Sequence, residues 1–225
     1  YKDLEIILVN DGSTDDSPWI CRNAAEMDSR IRFVNEKHRG LAAAKNAGLT
    51  VANGEFILFL EANDCIRPDM VAMLVRMIGY NDMVMCRYCL TDNLEIFRNS
   101  PNFEKGKWNM RDFWHAYYNG ASEACAAVWN KMYRAELLKE YRFPVGRRHE
   151  EEYLLTRIMQ GSRTIALCNE IMYYRRIALI PPENNMDFPD AMINRIFHFE
   201  EQKKLNWPAK PFCLHSKICR SAAIQ

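Results

Sequence analysis

Phe56 to Leu60 constrains this chain more than any other stretch, because Phe-Ile-Leu-Phe-Leu is apolar throughout with no alternation. A strand with one wet face alternates apolar and polar side chains, so an unbroken run predicts a strand buried on both faces of a parallel sheet. Glu61, Asn63 and Asp64 follow at once. Pro68 then opens a predicted helix to Ile78, since a missing N–H costs nothing in a first helical turn. Oxygen-bearing side chains therefore gather past the carboxyl end of a central strand, where open α/β sheets bind ligands. Such oxygens suit a hard divalent cation that also carries substrate phosphates. The other reading of these residues is an acidic turn in which Asn63 and Asp64 shape the backbone.

The neighbouring segments extend the pattern. Leu4 to Val9 predicts a second buried strand. It runs into the polar loop Asn10 to Asp16 and a helix capped by Ser17, with Pro18 at its first position. Ile20, Ala24 and Met27 have the spacing of one buried helical face. Ile31 to Val34 reads as a short strand, and Gly40 to Val51 as a small-residue helix closed by Asn53-Gly54. Strands alternating with helices predict one mainly parallel sheet holding Leu4–Val9, Ile31–Val34, Phe56–Leu60 and Asp82–Tyr88.

Further along, Leu94 to Arg98 is expected to pair with Asp82–Tyr88, and Trp108 to Tyr118 to form an aromatic-rich helix. Ala126 to Tyr133 leads into a short helix at Ala135 to Lys139. His149 to Met159 reads as a helix whose acidic first turn, Glu150-Glu151-Glu152, suits the helix dipole. Thr164–Leu167 and Ile171–Arg175 read as two late strands ended by Pro181-Pro182, with a helix from Asp190 to Lys204 after them.

Composition narrows the class. A chain of 225 residues with 48% apolar content makes one large domain, or one domain with an appendage. A net charge of +1 gives no footprint for nucleic acid. No apolar run is long enough to cross a bilayer. The eight cysteines, mostly beside apolar neighbours and in no zinc pattern, read as reduced thiols of a cytoplasmic protein. The Leu4–Val9 strand is not followed by the G-x-G-x-x-G that a dinucleotide-dependent oxidoreductase needs.

Four stretches in order resemble the family 2 glycosyltransferases of the GT-A fold. Ile7 to Ser17 (Ile-Leu-Val-Asn-Asp-Gly-Ser-Thr-Asp-Asp-Ser) is similar to the family's nucleotide-binding strand and loop. Arg39 to Gly48 (Arg-Gly-Leu-Ala-Ala-Ala-Lys-Asn-Ala-Gly) resembles its Gly-Leu-x-x-Ala-Arg-Asn-x-Gly helix. Gly54 to Asp64 sits where the family has its Asp-x-Asp signature. Val128 to Arg134, followed by His149-Glu-Glu-Glu-Tyr153, resembles the acceptor-side half. The resemblance implies an α/β, Rossmann-like GT-A architecture: a mainly parallel central sheet flanked by helices, with a smaller acceptor-side half. Residues 1–98 would be the nucleotide-sugar-binding half, 99–180 the acceptor-side half of the same domain, and 181–225 a C-terminal helical tail.

It further implies an inverting, metal-dependent transferase of polysaccharide biosynthesis. The donor would be a nucleotide-sugar, first a UDP-sugar, and the acceptor a hydroxyl of a glycan or lipid-linked molecule. The cofactor would be Mn2+ or Mg2+, and the location the cytoplasm, extending to peripheral association with the inner face of the membrane.

By position in the motifs, Asp11 would accept a hydrogen bond from the base, while the Gly12-Ser13 backbone approaches the nucleotide closely. Lys45, at the family's arginine position, would lie over base or diphosphate. Glu61 would contact the ribose, and Asn63 and Asp64 would face the metal and diphosphate. Glu150-Glu151 stands where the family has a Glu-Asp pair, with Glu151 as catalytic base. Trp129 would line the acceptor site, and His149 would be a local structural residue. Each has a plainer reading: a turn and helix cap for Asn10 to Asp16, a solvated helix lysine, acids that serve only a helix N-terminus, a core tryptophan.

Two departures stand out. The family opens with one more strand and helix, so the expectation is a piece lacking that unit and part of the base pocket. The family's Asp-Ser-Asp-Asp is here Glu61-Ala62-Asn63-Asp64, and the neutral Asn63 should weaken cation binding. A truncated or degenerate non-catalytic domain is therefore the alternative.

Overall fold

The structure is a computed structural model that describes residues 1–92, 95–103, 106–161 and 164–176. All of these fall in one compact unit, Tyr1–Met186. The expectations for Pro181-Pro182, the 181–225 tail and its Asp190–Lys204 helix lie outside the described residues.

The first part alternates strand and helix: β1 (Ile6–Asp11), α1 (Ser17–Met27), β2 (Ile31–Glu36), α2 (Leu41–Val51) and β3 (Phe56–Leu58). β1 and β2 pair in parallel, Ile6 opposite Ile31 through Asp11 opposite Glu36. Then come β4 (Cys65–Ile66), α3 (Met70–Ile78), β5 (Met83–Asp92), β6 (Glu95–Asn99), β7 (Lys107–Trp108), α4 (Met110–Ala116) and a π-helical turn (Tyr117–Ala121). They are followed by α5 (Ser122–Ala126), β8 (Lys131–Arg134), α6 (Ala135–Glu140), α7 (Glu150–Gly161) and β9 (Ile165–Arg176). The larger sheet has the order β3-β8-β5-β9-β4, with β6 on β5 and β7 on β9.

The α/β architecture of a sheet flanked by helices is as expected, but the four strands singled out do not share one sheet. β1 and β2 form their own pair, while β3 and β5 lie in the larger sheet, separated by β8. β8 runs antiparallel to both, so β3, β5 and β9 point one way around a reversed strand. Lys131, Met132 and Tyr133 are all buried. Burial on both faces produces the same apolar run whichever way a strand points, so the pattern carries no direction.

Local chemistry explains the other shifts. Asn109 and Asp112 form a reciprocal capping box, which starts α4 at Met110 and leaves Trp108 as a strand residue. Asn169 and Glu170 look like a break between two strands, yet β9 continues past them with shifted register opposite Cys86–Tyr88, as a bulge allows. The face of α1 expected to be buried is open: Ile20 is 57% and Met27 88% exposed. Cys86 and Cys89 have a Cys-x-x-Cys spacing, but three residues apart on a strand they point to opposite faces, and both thiols are free.

The core lies under α3, where Met70, Leu74 and Ile78 pack with Val84 and Cys86 of β5 and Met172 and Tyr173 of β9. A second fixture ties α2 to the chain that leads into α7. The Asn46 amide donates to the Phe143 carbonyl at 2.8 Å and accepts from the Phe143 N–H at 2.9 Å. Each half-buried bond is worth about 1 kcal/mol net. Asn46→Ala should therefore lower the unfolding free energy by about 2 kcal/mol, measured by urea denaturation.

Candidate active site

β1 ends at Asp11, and Gly12 turns the chain with φ +72°. The Asp11 carboxylate accepts hydrogen bonds from the N–H groups of Arg39 (2.8 Å) and Gly40 (2.9 Å), and His38 Nδ1 lies 3.0 Å away. Gly40 is the residue just before α2, so Asp11 fastens the end of β1 to the start of that helix. Burial works to raise the Asp11 carboxyl, but the two amides and His38 outweigh it and hold it below its usual range. A side chain on Gly12 would put its Cβ 2.5 Å from the His38 nitrogen. The close approach that requires glycine here is made by the protein's own backbone. Ser13 is exposed beside them, its N–H donating to Asn10 Oδ1 at 3.2 Å.

Five residues along α2 from Gly40, Lys45 turns inward. Its side chain is only 7% exposed, and its ammonium meets three carboxylates: Glu61 at 3.4 Å, Glu150 at 3.5 Å, and Glu151, to which it donates a short hydrogen bond. The Phe143 ring lies 5.3 Å from the ammonium. Burial works against the charge on Lys45, but Glu151 first, then Glu61 and Glu150, outweigh it and raise its pKa. The sequence reading placed Lys45 over a base or diphosphate and Glu61 on a ribose. In this structure Lys45 pairs with Glu61 and with Glu150 and Glu151 of α7.

Glu150 and Glu151 open α7. His149 precedes them with φ 55°, a left-handed conformation uncommon for a residue with a side chain and often found at functional sites. Its side chain is exposed. Glu151 receives Lys45 on Oε1 and the Val128 N–H, at 3.3 Å, on Oε2. Burial raises its pKa, Lys45 opposes, and Glu61 and Glu150 add to the rise, so the carboxyl sits above its ordinary value. Glu152 accepts from the Tyr117 hydroxyl at 3.0 Å. These acids do more than complement a helix dipole.

Asp64 is pinned on both oxygens. Tyr173 Oη donates to Oδ2 at 2.6 Å, and the Arg176 N–H donates to Oδ1 at 2.9 Å. The same tyrosine oxygen accepts the Glu61 N–H at 3.2 Å. Lys45, Glu61, Glu150 and Glu151 thus form one cluster, Asp64 joins it through Tyr173, and Asp11 stands at the head of the helix that carries Lys45. Trp129 is 4% exposed and stacked on Tyr173 with ring centroids 4.5 Å apart. It is a core residue rather than part of an acceptor surface.

Two participants escaped the sequence reading. Tyr173 was read only as part of a late strand. Lys131 was read only within a motif, yet it is fully buried, and burial lowers its pKa to about 8. Its ammonium donates to the carbonyls of Ala124 (2.7 Å) and Ala127 and to Asn130 Oδ1 (2.8 Å). It thereby holds the turn that presents the Val128 N–H to Glu151.

For a metal, the turn offers one half-exposed carboxylate, Asp64, beside an exposed amide, Asn63. Among the described residues no three His, Cys, Asp or Glu side chains converge on a common point. Each Asp64 oxygen accepts one hydrogen bond and keeps a second lone pair. That set fits a cation held jointly with phosphate oxygens, as magnesium is commonly held, and not a site built from protein alone.

Residues 1–142 match the family model described as Glycosyl transferase family 2. Among curated proteins, an uncharacterized glycosyltransferase of Haemophilus influenzae is 38% identical over 210 residues, 90% of this chain and 79% of that protein. The glycosyltransferase GlyA of Streptococcus pneumoniae serotype 4 is 33% identical over 186 residues, 79% of this chain but 27% of its own length. The chain covers 53% of the putative glycosyltransferase EpsH of Bacillus subtilis, so it spans a quarter to a half of these two relatives.

Among solved structures, Staphylococcus aureus TarS 1-349 in complex with UDP superposes with a TM-score of 0.64 at 19% identity, covering 96% of this chain and 67% of that one. The mannosyltransferase PcManGT of Pyrobaculum calidifontis, in complex with GDP-Man and Mn2+, gives 0.54 at 21% identity, covering 89% and 55%. The fold is that of the GT-A glycosyltransferases.

The balance of charges around Glu151 makes a prediction. In Lys45→Met the lowering influence of the ammonium is gone, while burial and the charges of Glu61 and Glu150 remain. The Glu151 carboxyl should titrate at still higher pH than in the parent, read by carbon-detected NMR. An unchanged or lower midpoint would contradict the assigned pairing.

Proposed function

The chain belongs to glycosyl transferase family 2, and we propose that it transfers a sugar from a nucleotide diphosphate donor, first a UDP-sugar, to a hydroxyl of a glycan or lipid-linked acceptor. The observation that carries this reading is the Glu151 carboxylate. It stands at the start of a helix, is held by Lys45 on one oxygen and the Val128 N–H on the other, and is raised in pKa by burial. A base of this kind must accept a proton at hydrogen-bond distance while remaining ionised at neutral pH. Each of its oxygens keeps a lone pair for that task.

Glu151 takes the proton from the acceptor hydroxyl as that oxygen attacks the anomeric carbon. The diphosphate leaves from the opposite face, and the configuration inverts. Glu150 shares Lys45 with Glu151 and helps to fix the ammonium. Asp11, Gly12 and Ser13 line the end of β1, where the nucleotide base would lie. Asp64 and Asn63 would hold Mn2+ or Mg2+ together with the diphosphate, and the ion would neutralise charge on the leaving group. The Mn2+ in the PcManGT complex and the UDP in the TarS complex support that choice of cofactor and donor.

The division near residue 98 into donor and acceptor halves, and a role in polysaccharide biosynthesis, belong to the same proposal. So does a cytoplasmic location, with peripheral contact at the inner membrane face. Among the described residues Cys21, Cys65, Cys86, Cys89, Cys125 and Cys168 are free thiols, as a reducing compartment would keep them. No helix described is long and apolar enough to cross a membrane.

A second reading, a non-catalytic domain with weak or no donor binding, is favoured by the neutral Asn63 and by Glu61 being turned to Lys45. Substitutions separate the two. Glu151→Gln keeps the shape but cannot take the proton, so single-turnover transfer should fall by about 10²–10⁴-fold with donor binding nearly intact or slightly tighter, since one charge that repels the diphosphate is gone. Equal turnover would remove Glu151 from the mechanism.

The cation site makes its own prediction. Asp64→Ala should cost far more turnover than Asn63→Ala, and Asn63→Asp should tighten Mn2+ binding by adding a charged oxygen. Absence of transfer in every variant, the parent and Asn63→Asp included, would favour the non-catalytic reading.

A further inference from the structure

The geometry points to Tyr173 as a positioning residue for the cation-binding carboxylate: one hydroxyl donates to Asp64 Oδ2 and accepts from the Glu61 N–H, fixing the turn on which the donor diphosphate and its cation would rest. This inference rests on the functional reading of that turn given above.

The hydroxyl sits where the turn needs a bolt. The turn is closed locally by the Asp64 N–H donating to the Glu61 carbonyl at 3.0 Å. That bond leaves the Glu61 N–H and the Asp64 carboxylate without partners inside the turn. Tyr173 Oη answers both, at 3.2 Å and 2.6 Å. A phenol ordinarily titrates at about 10, so the hydroxyl is a donor at neutral pH.

The ring itself cannot drift. Tyr173 is fully buried on β9, between Ile66 of β4 and Tyr88 of β5 in register. Its face is stacked on Trp129 at 29°, and Tyr88 packs edge-on against that same tryptophan at 4.9 Å. The rigid stack holds a single polar atom at a set distance from the turn. With the Arg176 N–H on the other oxygen, it fixes the Asp64 carboxylate in plane, leaving one lone pair per oxygen for a cation. Hydrogen-bond partners of this kind, one step behind a metal ligand, orient the ligand and tune its affinity.

The test is Tyr173→Phe, which keeps the ring and the stack and removes only the hydroxyl. Mn2+ affinity is read directly, by electron paramagnetic resonance of free Mn2+ in the presence of UDP, with UDP affinity measured separately without metal. The expected result is Mn2+ binding weakened about 10-fold, unchanged metal-free UDP affinity, and faster hydrogen exchange at the Glu61 amide, which has lost its acceptor. Equal Mn2+ affinity in parent and variant would overturn this inference alone. Metal-free UDP affinity that falls with the hydroxyl would also overturn it, since Tyr173 would then serve the nucleotide. A parent that takes up no Mn2+ with UDP present would overturn both this inference and the metal-assisted reading beneath it.

Discussion

One buried ammonium organises the centre of this molecule. An unpaired charge removed from water is very costly, and Lys45 is 7% exposed. It is tolerable because Glu61, Glu150 and Glu151 converge on it from two other segments. Losing any one of those segments would leave the charge under-compensated. The pairing therefore joins α2, the turn after β3 and the start of α7. Three carboxylates against one ammonium still leave the cluster net negative. An anionic diphosphate would be repelled there unless a cation came with it, and in the proposed mechanism the Asp64 turn would receive that cation.

The sheet supplies the geometry for this convergence. β3 delivers the Glu61–Asp64 turn at its carboxyl end, and β9 runs the same way and brings Tyr173 and Arg176 to Asp64. β8, reversed between β3 and β5, lets the end of α5 and the turn at Val128 approach from the other direction. There the buried Lys131 holds their carbonyls and Val128 reaches Glu151. A wholly parallel sheet would have put the β8 connection elsewhere. The reversed strand is thus part of how the end of α5 and the start of α7 meet the turn after β3.

The parts of this arrangement differ in how far sequence could reveal them. The strand at Phe56–Leu58, the small-residue helix Leu41–Val51 and the acidic start of α7 were readable because period and turn chemistry are local, though that strand is half-buried rather than buried on both faces and Leu60 after it is exposed. The family followed from the order of the motifs. The direction of β8 was not readable, since burial on both faces erases alternation. The exposed face of α1 carried the same spacing as a buried one. The partners of Lys45 were hidden because its hydrogen bond to Glu151 spans 106 positions, and no spacing rule reaches that far. Tyr173 gave no signal, as a tyrosine in a strand reads as core until its hydroxyl is seen to lie on Asp64. The Cys86–Cys89 spacing is inert as a pair, because residues three apart on a strand point to opposite faces.

The central claim is that this cluster and turn form the donor site of a nucleotide-sugar transferase assisted by a cation. Isothermal titration of a UDP-sugar into the chain, with and without Mn2+, tests it most directly. The account predicts saturable binding that becomes clearly tighter when Mn2+ is present, because the acidic cluster resists an unaccompanied diphosphate. Binding that is absent under both conditions, or is indifferent to Mn2+, would contradict it.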